Sequence, residues 1–270
     1  MAVAIEAVIA DLEAETPSLR ALISGLPEGP TGWGAPTPAT GWAVRDQISH
    51  LAFFDDVAVR SATDPEGFTA EVLPQLADGR ISPDTVPERY RSLPGADLLS
   101  WFDGARSALV TVFAGIDPSI RVPWFGLPMS SASLVTARMM ETWAHGQDVA
   151  DALGVTRVLS ARLRHVAHVG VGARAYSYMA HALEVPTEPV RVELTAPDGT
   201  VCAWSPVGAA DRVTDPALDF CLLVTQRRHR DDTAVQATGR VADRWLSIAQ
   251  AFAGPPGDGH RAGQFAGGSV

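Results

Sequence analysis

The sequence predicts an α+β protein, a mainly helical up-down bundle followed by a small C-terminal α/β domain. Three observations carry this. Apolar residues recur at helical spacing in five segments before residue 185. Beyond Pro186 and Pro189 the period changes to two. The composition, 46% apolar and 19% charged, belongs to a chain that buries a core.

Residues 3 to 25 open with Val3, Ile5, Val8, Ile9, Leu12, Leu19, Leu22 and Ile23 on one stripe, with Asp11, Glu13 and Glu15 for the wet side. Pro27 to Gly41 is loop, and a second helix runs from about Ala43 to Ala62. Pro65, Pro74, Pro83 and Pro87 mark 64 to 92 as an irregular excursion with one short helix at best. The third helix, about Ala96 to Ala114, has Leu98, Leu99, Phe102, Leu109, Val110 and Phe113 as its stripe. Pro118, Pro123, Gly126 and Pro128 then break the chain around Trp124, Phe125 and Leu127, an apolar loop that needs something to pack on, such as the rim of a pocket. Ser130 or Ser131 caps the fourth helix and Gly154 ends it. A fifth runs from about Ser160 to Leu183. After it, Val190–Thr195 and Thr200–Ser205 alternate around the turn Pro197-Asp198-Gly199, a β-hairpin. A helix at Pro216–Gln226, a strand at Thr233–Thr238 and a helix at Arg240–Phe252 complete the reading. The expected division is a helical bundle over 1–185, an α/β domain over 186–253 and a flexible tail over 254–270.

The 270 residues carry a net charge of −10, which argues against a broad nucleic-acid footprint and suits an enzyme of small metabolites. All 21 basic residues are Arg, so lysine Schiff-base chemistry and a phosphate-loop lysine are excluded. Cys202 and Cys221 have no metal-ligand spacing and form no disulfide framework. The first residues lack a basic region ahead of an apolar run, and no stretch reaches membrane-spanning length. The expectation is a cytoplasmic protein, monomer or homodimer, with a small-molecule substrate and neither nucleic-acid nor membrane partner.

The chemistry concentrates on the fourth helix. Glu141 and His145 are four apart, which puts a carboxylate and an imidazole on one face, a turn apart. Two such groups can hold one metal ion from a single rigid element. The spacing alone is common; a solvated Glu and a core His explain it equally. His50, on the second helix, is flanked by Ile48, Leu51 and Phe54 at apolar-face spacing and should point inward.

The segment from Thr37-Pro-Ala-Thr-Gly-Trp42 to His50-Leu51, followed by Glu141-x-x-x-His145, resembles the DinB-like metal-binding helical bundles. Within them it is similar to the mycothiol-dependent maleylpyruvate isomerase branch. The resemblance implies one divalent ion, typically Zn2+, on His50, Glu141 and His145. It further implies mycothiol as a thiol cosubstrate, and an Arg of the C-terminal domain that binds an anionic group. Arg227 and Arg228, in the run Arg227-Arg-His-Arg-Asp-Asp232, are the candidates for that Arg, although such a run also suits a solvated helix end. The resemblance covers the helical domain and, more loosely, the tail.

Asp148 and Asp46 are candidates for orienting the two histidines, and Arg138 for neutralising surplus carboxylate charge; each also reads as a surface charge. Trp42, Trp124 and Phe125 are expected as pocket walls, with Trp42 about two helical turns from the metal, and Trp143 is expected to point away into the bundle. His165, His168 and His181 lack a carboxylate and read as core or surface residues. Neither Cys is a persuasive nucleophile, so any thiol must be a bound small molecule. The leading reading is a zinc enzyme of the thiol-dependent isomerase or S-transferase type. A thiol-independent metal-dependent isomerase, cyclase or hydrolase, and a non-enzymatic metal- or ligand-binding protein, are the alternatives.

Overall fold

Four long helices build the first half of the chain: α1 Ile5–Ile23, α2 Val44–Thr63, α6 Gly95–Ala114 and α7 Ser131–Leu153. The computed structural model describes residues 4–82, 85–257 and 259–265. Helix α2 packs on α6 and α7, and α1 packs on α7 and α6, so the four close around shared cores. One core joins Leu19, Ile23, Ile48, Leu51, Leu98, Phe102 and Val149; a second joins Val8, Leu12, Leu109, Phe113, Leu134 and Met139. Each helix supplies its apolar stripe, and burial of those stripes, at about 25 cal/mol per Å², holds the bundle. Gly95 permits a close approach here: a Cβ on it would stand 2.1 Å from the Trp33 indole nitrogen.

The bundle is also pinned by a buried ionic knot. Asp55 on α2 accepts from Arg106 Nε of α6 at 2.7 Å and from Arg138 Nε of α7 at 2.9 Å. Arg106 donates as well to Thr16 of α1 and Thr142 of α7, both at 2.9 Å. Three helices therefore meet at one carboxylate, and α1 joins them through Arg106.

The signals at the ends of α7 act as expected. Ser130 Oγ accepts from Ser133 N, and Gly154 takes the left-handed conformation with φ of 64°. The excursion is more helical than its prolines suggest. It contains α3 Pro65–Gly67, a π-helical turn Phe68–Val72, α4 Leu73–Ala77 and α5 Thr85–Glu88. Pro65 and Pro74 sit in first turns, where a missing N–H costs nothing, so they start helices instead of breaking them. Pro83 lies outside the described residues, as does the tail at 258 and beyond 265. Between α6 and α7, β1 Arg121–Val122 pairs with β2 Met129–Ser130 in a short ribbon around the apolar loop.

The rest of the chain comprises α8 Leu163–Gly172, α9 Arg174–Ala180, β3 Val190–Thr195, β4 Val201–Trp204, β5 Asp211–Thr214, α10 Ala217–Val224, β6 Gln236–Thr238 and α11 Arg240–Leu246. The sheet runs β4-β3-β5-β6, with the expected hairpin β3–β4 antiparallel and β3–β5 parallel. Strand β5 was not expected from its pattern. The predicted fifth helix is two, α8 and α9, turning at Ala173.

The two compact units divide between Val155 and Thr156, thirty residues ahead of the boundary expected near Pro186. The reason is packing. Gly170 of α8 lies against Val224 and Phe220 of α10, and Cys221 Sγ donates to Leu163 O. Ser177 and Tyr178 of α9 bond to the main chain of Gln250 and Val241. The segment read as a fifth bundle helix is thus part of the C-terminal unit. No helix among the described residues is long and apolar enough to cross a membrane.

Candidate metal centre

Helix α2 carries His50 and helix α7 carries Glu141 and His145, and the packing of these two helices brings the three together. One ligand atom from each lies within 4.8 Å of the others, and no other such group of His, Cys, Asp and Glu occurs among the described residues. Glu141 Oε2 stands 3.0 Å from His145 Nε2 and 3.4 Å from His50 Nε2. Both imidazoles are buried, while the Glu141 side chain keeps 23% of its surface open.

The electrostatics suit cation binding. Burial, helped by the neighbouring His145, pushes the His50 pKa down to about 4, so the ring is neutral at pH 7. Burial opposes the charge of Glu141, but contacts with His145 and His50 outweigh it, and the carboxyl lies well below its usual range. A neutral imidazole at His50 and a carboxylate at Glu141 are protonation states that metal ligands require. Two nitrogens and one oxygen form a donor set that zinc accepts, with a fourth position left for a substrate.

Aromatic rings surround the histidines. The Trp42 indole stacks on His145 at 5.8 Å and lies 5.3 Å from His50. It does not stand two turns away, because the chain reverses before α2. Gly41 adopts φ of 79°, and Pro36 and Ala43 bridge as in a small hairpin, which folds the indole back over the helix. Phe54 lies 4.6 Å from His50, and Phe125 meets Phe54 edge-on at 5.7 Å. Trp124 stacks on Phe68 and touches Phe125, so Trp124 and Phe125 reach the histidines through Phe54. Trp143 is buried at 5% exposure.

Two of the three charged candidates near the ligands have other partners. Asp46, read as a surface charge, is buried; it accepts from Ala43 N at the start of α2 and pairs with Arg91. Arg138 belongs to the Asp55 knot and donates to Leu51 O. Asp148 Oδ2 is 3.9 Å from His145 Nδ1, too far for a hydrogen bond. That nitrogen instead meets Gln47 Oε1 at 2.5 Å, and Gln47 Nε2 donates to Thr37 Oγ1 at 2.9 Å. Gln47 is the residue the sequence reading missed. An amide on a helix reads as a surface residue, and the signal was its place three residues before His50 in the segment that opens at Thr37.

Arg227 and Arg228 belong to the C-terminal unit. Arg227 Nη1 donates to Thr225 O, and the Arg228 guanidinium lies over the Phe265 ring at 3.8 Å from its centroid. Arg228 also lines a cleft of about 320 Å³ with His181, His229, Arg230 and His260. Cys221 is buried, and burial pushes its thiol up, so it is no nucleophile.

Comparison with known proteins follows the same lines. The family model for the mycothiol maleylpyruvate isomerase N-terminal domain matches residues 12–150, and a model described as wyosine base formation matches residues 186–238. Two uncharacterized proteins of Mycobacterium tuberculosis, from strains CDC 1551 / Oshkosh and ATCC 25618 / H37Rv, are each 46% identical over 251 residues, covering 93% of this chain and 97% of the relative. The crystal structure of the mycothiol-dependent maleylpyruvate isomerase superposes with a TM-score of 0.58 at 15% identity, covering 87% of this chain and 93% of that one. A histidine-to-alanine mutant of that enzyme gives 0.54 over the same shares. At such identity the structures establish the fold, while the first model spans half of the sequence and contains all three converging residues. The chain belongs to the mycothiol maleylpyruvate isomerase N-terminal domain family.

Proposed function

We propose that this chain is a metal-dependent enzyme that uses a low-molecular-weight thiol, mycothiol, to isomerise or capture a small anionic electrophile of the maleylpyruvate kind. His50, Glu141 and His145 hold one divalent ion, zinc by the chemistry of the donor set. The observation that carries the reading is the meeting of two imidazoles and one carboxylate under aromatic rings. An ion held there lowers the pKa of a thiol presented to it, so that thiolate is available at neutral pH.

The protein's part is positioning and exclusion of water. Trp42 stacks on His145 and Phe54 leans against His50, and together they dry the site, which strengthens its electrostatics. The thiolate adds to the activated double bond, the carbon–carbon bond rotates, and expulsion of the same thiolate returns it, which is isomerisation. S-transfer results if the sulfur stays. The chain's own thiols do not serve: Cys221 is buried and bonded to Leu163 O, and Cys202 is half-buried on β4. Arg227 and Arg228 are the anion-binding candidates of this reading, because Arg grips carboxylates bidentately. A reducing cytoplasm keeps such a thiol available.

The test is a metal and turnover assay. Purified protein should hold about one divalent ion per chain, and His145→Ala should lose it. Loaded protein should convert maleylpyruvate only when mycothiol is present. Full metal content in the triple alanine variant of His50, Glu141 and His145 overturns the ligand assignment. Conversion at full rate without thiol overturns the thiol dependence and leaves a thiol-independent metal enzyme.

A further inference from the structure

We propose that Gln47 is the positioning residue of this centre: it holds the proton of His145 on Nδ1, so that Nε2 presents its lone pair beside Glu141 and His50. The purpose of this arrangement rests on the metal reading above, but the tautomer itself follows from hydrogen bonds alone.

The hydrogen bonds run from the main-chain carbonyl of Trp42 to His145. That carbonyl accepts from Thr37 N at 2.8 Å and from Thr37 Oγ1 at 3.1 Å. A carbonyl has no hydrogen to give, so the hydroxyl proton of Thr37 points at it and Oγ1 offers lone pairs to its other neighbour. The Gln47 atom at 2.9 Å from Oγ1 is therefore the NH₂ group. That orientation turns the amide oxygen of Gln47 to His145 Nδ1. An amide oxygen only accepts, so Nδ1 carries the proton and, in the neutral ring, Nε2 does not. The orientation of this amide is thus fixed by its neighbours, and with it the histidine tautomer.

The consequence lies at Glu141. In the neutral tautomer a bare Nε2 and a Glu141 carboxylate oxygen, 3.0 Å apart, both present lone pairs to the same space, and the hydrogen bond that lowers the Glu141 carboxyl exists only when that space holds a proton. They repel unless a positive species, a proton or a metal ion, lies between them. The arrangement is therefore set for a cation before any cation arrives. His50 differs: its Nδ1 is buried and has no hydrogen-bond partner among the described residues, while its Nε2 stands 3.4 Å from Glu141 Oε2. The choice of an amide over a carboxylate also has a reason. Gln47 supplies the hydrogen-bonding acceptor as a neutral group, with the Asp148 carboxylate 3.9 Å from the same nitrogen, whereas Asp46, one residue away, spends its carboxylate on Ala43 N and Arg91. Gln47 stays fully buried beneath the loop that carries Thr37 and Trp42, so water does not compete for its oxygen.

Two measurements on the full chain test this. The first is zinc affinity of the chelator-stripped protein, by competition with a fluorescent zinc indicator, for wild type, Gln47→Leu, Gln47→Glu and Thr37→Val. Losing a partner that orients a ligand histidine typically costs about 10–100-fold in metal affinity, so Gln47→Leu should fall by that much. Gln47→Glu keeps an acceptor for His145 but, like Thr37→Val, loses the bond between residue 47 and Thr37 Oγ1, so both should fall less than Gln47→Leu, an order that a purely space-filling role would not give. Gln47→Leu binding zinc as tightly as wild type while folded overturns the proposal. The second is nitrogen NMR of the wild-type imidazoles at alkaline pH, which needs neither a variant nor a metal. His145 should carry its hydrogen on Nδ1, and a hydrogen on Nε2 overturns the proposal even if the variants do not fold. Wild type that takes up no zinc while His145 is protonated on Nδ1 sinks the metal reading and leaves the tautomer assignment standing.

Discussion

The indole of Trp42 lies parallel to the imidazole of His145, with 9° between the planes and 5.8 Å between the centroids. It belongs to the loop ahead of α2 and contributes no donor atom to the three that converge. Its role in the proposed enzyme is therefore as a wall. Trp42→Ala should leave about one metal ion per chain in place and lower kcat/KM by up to roughly tenfold, since a lost aromatic contact of about 0.5–1.5 kcal/mol has that effect on rate. Metal analysis beside steady-state kinetics checks this. Metal lost to the extent seen in His145→Ala would make Trp42 a support of the ligands and not a wall.

The low pKa of His50 has a measurable effect on stability. Burial first, and the charge of His145 second, bring it to about 4, while in the unfolded chain an imidazole titrates near its ordinary 6.5. Between those values the unfolded chain binds a proton that the folded chain refuses. Stability contributed by neutral His50 is thus present above pH 6.5 and is lost as pH falls towards 4. The full effect is about 3 kcal/mol, from 1.36 kcal/mol per unit. Urea unfolding of the metal-free protein across this window should show the loss, and His50→Gln should flatten the curve. An unchanged slope in His50→Gln would mean that another group carries the pH dependence.

The long helices were legible because α1, α2, α6 and α7 each bury one stripe, and a 3.6-residue period records that directly. Glu141 and His145 were legible as a pair because one helix holds both. His50 needed the resemblance carried by its flanking segment. What could not be read were contacts made by chain reversals. Trp42 reaches His145 through a turn at Gly41, not along a helix. Asp46 is buried because Arg91, forty-five residues on, comes to pair with it. Gln47 is an orienting group because a loop folds over it. Strand β5 has only four residues and takes its place through parallel pairing with β3, which lies two strands back in sequence. In each case the decisive partner is distant in the chain, and local periodicity carries no record of it.

Asp55 makes a stability prediction separate from the metal. It is fully buried and is paired with Arg106 and Arg138, themselves buried. Removing one partner of a buried ionic group leaves charge without compensation and costs about 3–5 kcal/mol. Asp55→Ala should therefore lower the midpoint of chemical unfolding strongly, or leave the bundle unfolded. Circular dichroism during guanidinium titration measures it. A variant as stable as wild type would mean that the two guanidinium groups find other acceptors.

The division of the chain after Val155 predicts where a protease cuts. Residues 155 to 159 form no helix or strand, and Val158 is 96% exposed, with Val155 and Leu159 also exposed. Cleavage by a protease of broad specificity should therefore fall in this segment and leave an N-terminal fragment of about 155 residues carrying His50, Glu141 and His145. A cut near Pro186 should be disfavoured, because α8 and α9 are tied to the elements that follow. Gly170→Ala tests that tie: a Cβ there meets Val224 Cγ2 at 2.7 Å and Phe220 at 3.2 Å, so α8 must shift from α10. Overpacking of this kind costs about 1–3 kcal/mol. The variant should become cleavable between α9 and β3 while the first fragment keeps its protease resistance. If the wild-type chain is cut first near Pro186, with α8 and α9 retained on the N-terminal fragment, the division after Val155 is wrong and the two helices belong with the bundle.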